Sequence, residues 1–109
     1  MRSGQLRQYQ ITVQSPPGGQ DDDGNPRTEW WTVCRPHAKK EDLSGRELFA
    51  AQAAQSEVTT RFRIRYRTGL SSKMRLLCDG VIYNIEAVLD RDGRKRELQL
   101  MCSSGLNNG

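Results

Sequence analysis

The sequence predicts a mainly β protein: a small antiparallel β-barrel of about six strands, with one short helix and a long flexible loop after the first strand. Residues 57–67 alternate between polar and apolar side chains, as a strand with one buried face does. The dipeptides Asp79-Gly80 and Asp92-Gly93 each separate two apolar runs, where tight hairpin turns need the positive φ that Asp and Gly tolerate. Only one segment has helical periodicity, so strands must form most of the core.

The predicted strands are runs of alternating, β-branched or aromatic residues separated by turn residues. They cover residues 8–15, 29–38, 57–67, 74–78, 81–89 and 96–102. Because short strands leave unpaired edges unless the sheet closes on itself, a closed or nearly closed barrel is the expected architecture. Pro36 indicates a sheet edge or a bulge at the end of the second strand.

The predicted helix covers residues 43–56. Ser44 and Glu47 have the spacing of a capping box, and alanine and glutamine follow, which favour helix. We expect its apolar side chains to dock on the sheet. These are Leu48, Phe49, Ala51 and Ala53.

The flexible loop is predicted at residues 16–28. They contain three prolines, three glycines and an acidic triplet, and no apolar residue that would anchor them in a core,. Residues 103–109 are expected to be a flexible C-terminal tail. The whole chain, residues 1–109, is then a single domain of ordinary size.

Composition narrows the range of partners and compartments. The net charge is +4 and the pI about 9.3, which suits an acidic partner or nucleic acid. No apolar run is long enough to span a membrane, and the N-terminus lacks a signal peptide's apolar segment. The three cysteines, Cys34, Cys78 and Cys102, are odd in number and far apart, which favours reduced thiols in a cytosolic protein over a disulfide framework or a zinc site.

The chain offers little for catalysis. His37 is its one histidine, which removes most acid-base and Cys-His schemes. The run Asp21-Asp22-Asp23 has oxygen ligands for a hard cation, but its place in a proline- and glycine-rich loop favours a solvated segment. No phosphate-binding loop is present. We therefore predict no enzyme, no cofactor and no metal.

Four arginines, Arg61, Arg63, Arg65 and Arg67, fall on one face of the predicted strand 57–67, with Phe62, Ile64 and Tyr66 on the other,. One interpretation is a solvated face neutralised by acids on adjacent strands, such as Glu86 or Glu97. The other is a contact with an acidic partner, for which arginine is well suited. A nucleic-acid-binding barrel is a further alternative, although such surfaces usually carry stacking aromatics beside the cations, and here the aromatics point the opposite way.

The sequence resembles the head-tail joining, or head closure, proteins of tailed bacteriophages from about residue 3 to residue 102. The resemblance rests on an ordered combination of short motifs, none of them specific alone. They are Gly4-x-Leu6-Arg7, Ser44-Gly45-x-Glu47, Arg65-Tyr66, Met74-Arg75 and Tyr83-Asn84-Ile85.

The resemblance implies a structural virion protein, a small β-barrel with one helix that is assembled in the bacterial host cytoplasm. It implies a ring, dodecameric in the family, below the portal and its adaptor ring. That ring closes the capsid channel after DNA packaging and provides the docking surface for the tail. A related tail-completion protein is the alternative within this structural class.

Three groups of residues are candidates for the contacts of such a ring. The candidate ring or partner interface is the arginine face, Arg61, Arg63, Arg65 and Arg67. The candidate channel or inter-subunit loop is Gly18, Gly19, Asp21, Asp22, Asp23, Gly24 and Asn25. The candidate N-terminal contact is Arg2, Leu6 and Arg7. The expected partners are portal, adaptor and tail proteins and other copies of the chain, with packaged DNA as a further contact and no membrane.

Overall fold

Eight antiparallel strands and one helix make up the fold in a computed structural model, which describes residues 8–54, 57–90 and 92–104. The elements in chain order are β1 (Gln8–Gln10), β2 (Thr12–Ser15), β3 (Trp31–Cys34), β4 (His37–Asp42), α1 (Gly45–Ala54), β5 (Thr60–Arg65), β6 (Arg75–Cys78), β7 (Val81–Leu89) and β8 (Glu97–Ser104). They form one sheet in the order β1-β4-β5-β8-β7-β6-β2-β3. The sheet curls into a half-barrel, so the predicted fold class is confirmed.

The strand count exceeds the prediction because the first two predicted strands each divide in two. A single residue, Ile11, separates β1 from β2, yet β1 pairs with β4 and β2 pairs with β6. The segment therefore joins the two ends of the curled sheet. The backbone N–H of Ile11 donates to the carbonyl of Pro36 at 3.0 Å, at the break between β3 and β4 where Pro36 had indicated an irregularity.

The core lies on the concave face of the sheet. It contains one buried cluster, whose members are Ile11, Val13, Ala38, Phe62, Ile64, Leu76, Cys78, Tyr83, Ile85, Leu98, Leu100 and Cys102. The rings of Phe62 and Tyr83 meet edge to face with centroids 5.0 Å apart, a favoured aromatic geometry. Every strand from β4 to β8, as well as β2, contributes, so the sheet itself encloses the core.

The helix α1 does not dock on the sheet as predicted. It has no buried residue, and Phe49 is 81% exposed. Leu48 and Ala51 are half-buried, whereas Phe49 lies on another side of the helix, because positions share a face only at spacings of three and four. Leu43 before the helix and Val58 after it are the buried anchors, so the chain is fixed on both sides of the helix while the helix itself adds no buried residue to the core.

Residues 16–28 form a hairpin-like arm with its own hydrogen bonds. Gly18 N–H donates to the Arg27 carbonyl and Arg27 N–H donates to the Gly19 carbonyl, both at 3.0 Å, and Gln20 bridges to Pro26. Glycines occupy the positive-φ positions that these turns need, Gly18, Gly19 and Gly24,. The segment predicted as a loop is thus a hydrogen-bonded extension of the β2–β3 pair, and its flexibility stays a prediction.

At the other end of the chain, β8 continues past the predicted start of the tail. Ser103 and Ser104 pair with Asn84 and Tyr83 of β7, and Ser103 is buried. Residues 105–109 lie outside the described residues. Among the residues that the structure describes, no helix is long and apolar enough to cross a membrane.

Candidate partner-binding site

The arginine-bearing strand β5 lies near the centre of the sheet, between β4 and β8. Its alternation is as predicted: Phe62 and Ile64 are buried in the core, while the arginines occupy the opposite face. The four arginines nevertheless differ in environment. Exposure increases from Arg61, which is buried, through half-buried Arg63 to the exposed Arg65 and Arg67.

Arg61 is a structural residue. It is 8% exposed and its guanidinium contacts Glu41 at 2.6 Å and Glu47 at 3.0 Å. Burial lowers the pKa of Arg61, but hydrogen bonds to these two carboxylates and their charges outweigh burial and raise the pKa above its ordinary value,. Since Glu47 lies on α1, Arg61 joins β5, β4 and the helix.

The neutralising acids are therefore not the ones that the sequence suggested. Glu41 on β4 and Glu47 on α1 neutralise the buried end of the arginine face. Glu86 instead accepts a hydrogen bond from Ser103 Oγ at 2.7 Å. Glu97 lies opposite Arg65 in the β5–β8 register, but makes no ion pair with it among the described residues.

The guanidinium group of Arg63 has partners for only some of its hydrogen-bond donors. One guanidinium nitrogen lies 3.4 Å from Glu41, a carboxylate already in contact with Arg61. The Nε atom of Arg63 is buried and has no hydrogen-bond partner. A buried donor without an acceptor is costly, and only the remainder of the Arg63 side chain, which is 30% exposed, is open to an anionic contact.

A cleft of about 710 Å³ opens beside the exposed end of β5. Five of its twelve lining residues are cations and one, Glu97, is an acid. We call the five cations the basic cleft: Lys39, Arg63, Arg65, Arg67 and Arg96. Arg65, Arg67 and Lys39 make no ion pair within the described part of the chain, and Arg96 makes only an exposed one, at 3.5 Å to Asp92.

Two cations of this cleft, Lys39 and Arg96, lie outside residues 61–67, and pairing between strands brings them beside the arginines of that segment. Lys39 is opposite Arg63 in the β4–β5 register, and Tyr66 N–H donates to the carbonyl of Arg96 at 3.0 Å. Sequence reasoning missed both cations because their position depends on strand pairing across the sheet. The alternation within one strand gave no signal for either of them.

The chemistry of the basic cleft suits a carboxylate or phosphate, since arginine offers several planar donors and is weakly hydrated. Tyr66 and His37 are the aromatic rings of its lining. The two tryptophans are covered by other cations, with the guanidinium of Arg75 4.1 Å from the Trp30 ring and that of Arg27 3.8 Å from the Trp31 ring. The site therefore lacks the stacked aromatic platform typical of single-stranded nucleic-acid binding.

The second predicted site, Gly18 to Asn25, lies in the arm and away from the cleft. Asp21 is bound within the arm itself: its Oδ1 accepts the N–H of Asp23 at 2.9 Å and of Asn25 at 3.0 Å. Asp22 and Asp23 are exposed. No group of acidic, histidine or cysteine side chains among the described residues has the arrangement of a metal site. The predicted N-terminal contact, Arg2, Leu6 and Arg7, lies outside the described residues.

Comparison with known proteins decides the family. The family model described as phage head completion protein matches residues 1–105. The chain belongs to this family. The resemblance seen in the sequence is thereby confirmed, and membership supports a structural role in the phage head.

Solved structures with this fold include the two described next, whereas a search of curated proteins found no match to the chain. The solution structure of protein SF1141 from Shigella flexneri 2a superposes with a TM-score of 0.74 at 25% identity, over 99% of this chain and 100% of that chain. A chain from the virion of a native gene transfer agent particle gives a TM-score of 0.54 at 16% identity, over 94% of this chain and 100% of that chain. The second likeness shows the fold alone.

Proposed function

We propose that this head completion family member is a component of the head-tail connector. In this proposal copies of the chain assemble into a ring below the portal and its adaptor, close the capsid channel after DNA packaging and provide the docking surface for the tail. Its action is structural and non-catalytic, and assembly takes place in the host cytoplasm. The family match over residues 1–105 carries this proposal.

The basic cleft is the partner interface in this proposal. Its exposed cations contribute no ion pair to the described part of the fold apart from the exposed one of Arg96, and like charges gathered on one surface repel one another. The repulsion among these cations destabilises the free protein, and an anionic partner bound in the cleft would offset it. Arg61 is excluded from the interface, because it is buried and engaged by Glu41 and Glu47.

The test compares phage particles assembled with and without the protein, by electron microscopy and an assay for packaged DNA. Filled or leaking heads separate from free tails are the expected result without the protein. Normal infectious particles in its absence would contradict the proposal.

A second comparison tests the interface within the same particles. The variant R65E/R67E should fold like wild type yet leave heads without tails, because both side chains are exposed and both line the cleft. The matched control R46E/R94E reverses two exposed arginines outside the cleft, and should join heads to tails normally. Normal joining by R65E/R67E would exclude the cleft as the interface.

A further inference from the structure

We propose that the acidic tip of the arm of one subunit inserts into the basic cleft of the next subunit. The partner of the cleft is then a second copy of this chain. This inference rests on the proposed ring, and it specifies the contact that builds it.

The arm presents carboxylates in a held geometry. The Oδ1 of Asp21 closes the turn by accepting the N–H of Asp23 and of Asn25. Asp21 N–H and the Asn25 carbonyl pair across the turn at 2.9 Å. With Asp21 engaged in this way, Asp22 and Asp23 remain exposed and without an ion pair among the described residues.

The base of the arm is also fixed. Arg27 donates from Nε to the carbonyl of Gln20 at 3.3 Å, and its guanidinium lies over the Trp31 ring of β3. A cation over an indole ring is a favourable contact. The arm is thus held to the β2–β3 pair from which it extends, and less freedom is lost when its tip binds.

The arm and the cleft lie at opposite ends of one extended segment. Gln8, at the start of β1, lines the cleft, whereas Ser15, at the end of β2, pairs with Trp31 at the base of the arm. At about 3.3 Å per residue a fully extended chain between these two ends would span at most roughly 23 Å. No residue of the arm lines the cleft of its own subunit, and the arm extends beyond Ser15, so its tip is free to meet the cleft of a neighbour.

The charges of the two surfaces are complementary. The cleft has five cations against one acid, and the exposed guanidinium groups of Arg65 and Arg67 can pair with carboxylates,. A contact between two different surfaces of identical chains is heterologous, and it repeats from subunit to subunit until the rotation closes a ring. One chain therefore contains both halves of a ring contact.

Carbodiimide coupling tests the contact, because it condenses a carboxylate with the Lys39 amine into an amide with loss of water. Two full-length variants are needed: D22N/D23N lacks the tip charges but keeps the cleft, and R65Q/R67Q lacks two cleft charges but keeps the tip. They are coupled singly and mixed, at low salt and high concentration and also on filled heads, with one variant ¹⁵N-labelled. Mass spectrometry then identifies which chain contributed each cross-linked peptide.

We expect wild-type chains to couple Asp22 or Asp23 to Lys39 between molecules. The yield of cross-linked product from R65Q/R67Q alone should be about tenfold lower than from wild type, because attraction between exposed opposite charges raises the rate at which two such surfaces associate. In the mixture the Asp peptide should come from R65Q/R67Q and the Lys39 peptide from D22N/D23N. The control variants E29Q/E57Q and R46Q/R94Q, which lie outside both surfaces, should give the wild-type yield, and in their mixture the Lys39 peptide should come equally from both chains.

Several results would overturn the inference: no intermolecular Asp–Lys39 product in either setting, a Lys39 peptide that comes as often from R65Q/R67Q as from D22N/D23N in the mixture, or an undiminished yield from R65Q/R67Q. If instead R65Q/R67Q weakens binding to a short DNA duplex and no arm–cleft product forms, the cleft binds nucleic acid. Wild-type protein that completes heads without this product would refute only the arm–cleft contact. Wild-type protein that fails to complete heads would refute the proposed function itself.

Discussion

Replacing Arg61 by alanine is expected to reduce the free energy of unfolding by about 3 kcal/mol. The ion pair with Glu41 is largely withdrawn from water, with side-chain exposures of 9% and 23%, and breaking such a pair costs roughly 2–3 kcal/mol. Glu47 is 58% exposed, so solvent screening limits its contribution to at most about 1 kcal/mol. Removal of Arg61 also leaves a partly buried carboxylate at Glu41 with only the longer contact to Arg63.

Arg65→Ala is the matched comparison on the same strand face. Arg65 is exposed and makes no ion pair among the described residues, so its replacement should change stability by less than about 0.5 kcal/mol. Urea unfolding followed by circular dichroism measures both variants, and equal slopes with wild type show that the midpoint shift reports stability. The melting temperature of the Arg61→Ala variant should lie about 15 °C below that of wild type. Equal losses for the two variants, or a loss below about 1 kcal/mol for Arg61→Ala, would refute the division into structural and interface arginines.

Three further predictions test other parts of the fold. Phe49→Ser should change the free energy of unfolding by less than about 0.5 kcal/mol in urea titration, because Phe49 is exposed,; a loss above 2 kcal/mol, on the order of a core substitution, would mean that the helix packs more tightly. Asp79→Val should cost about 1–2 kcal/mol while Asp79→Asn costs little, because the residue has a φ of 54° that β-branched side chains resist; equal melting temperatures would contradict this turn geometry. Iodoacetamide should alkylate half-buried Cys34 before the buried Cys78 and Cys102, with burial raising the pKa of the Cys102 thiol most strongly,; mass spectra showing Cys102 modified first would contradict this order.

Local patterns predicted the elements that local residues determine. The alternation of residues 57–67 identified β5 and its buried face, and Asp79-Gly80 identified the turn between β6 and β7, where both residues have positive φ. The fold class followed from these signals. The helix itself was predicted, but the prediction that its apolar side chains dock together on the sheet was wrong, because Phe49 lies on a different side of the helix from Leu48.

The basic cleft was only half predictable. The exposed arginines followed from the alternation in β5, whereas Lys39 and Arg96 join them through pairing between distant parts of the chain. Likewise, the glycines and prolines of residues 16–28 indicated turns but not that these turns form a hydrogen-bonded arm. A sequence pattern specifies which face a side chain occupies, and register across the sheet decides which side chains meet.

The division of the first strand at Ile11 affects how the chain folds. β5, β6, β7 and β8 pair with near neighbours or across modest sequence separations, but β2 must pair with β6, and Gln14 accepts a hydrogen bond from Arg75, 61 residues away. Closing so long a loop costs entropy before any contact compensates for it. We therefore expect β2 to be among the last elements to reach its native place, with its docking against β6 as the slow step that completes the core.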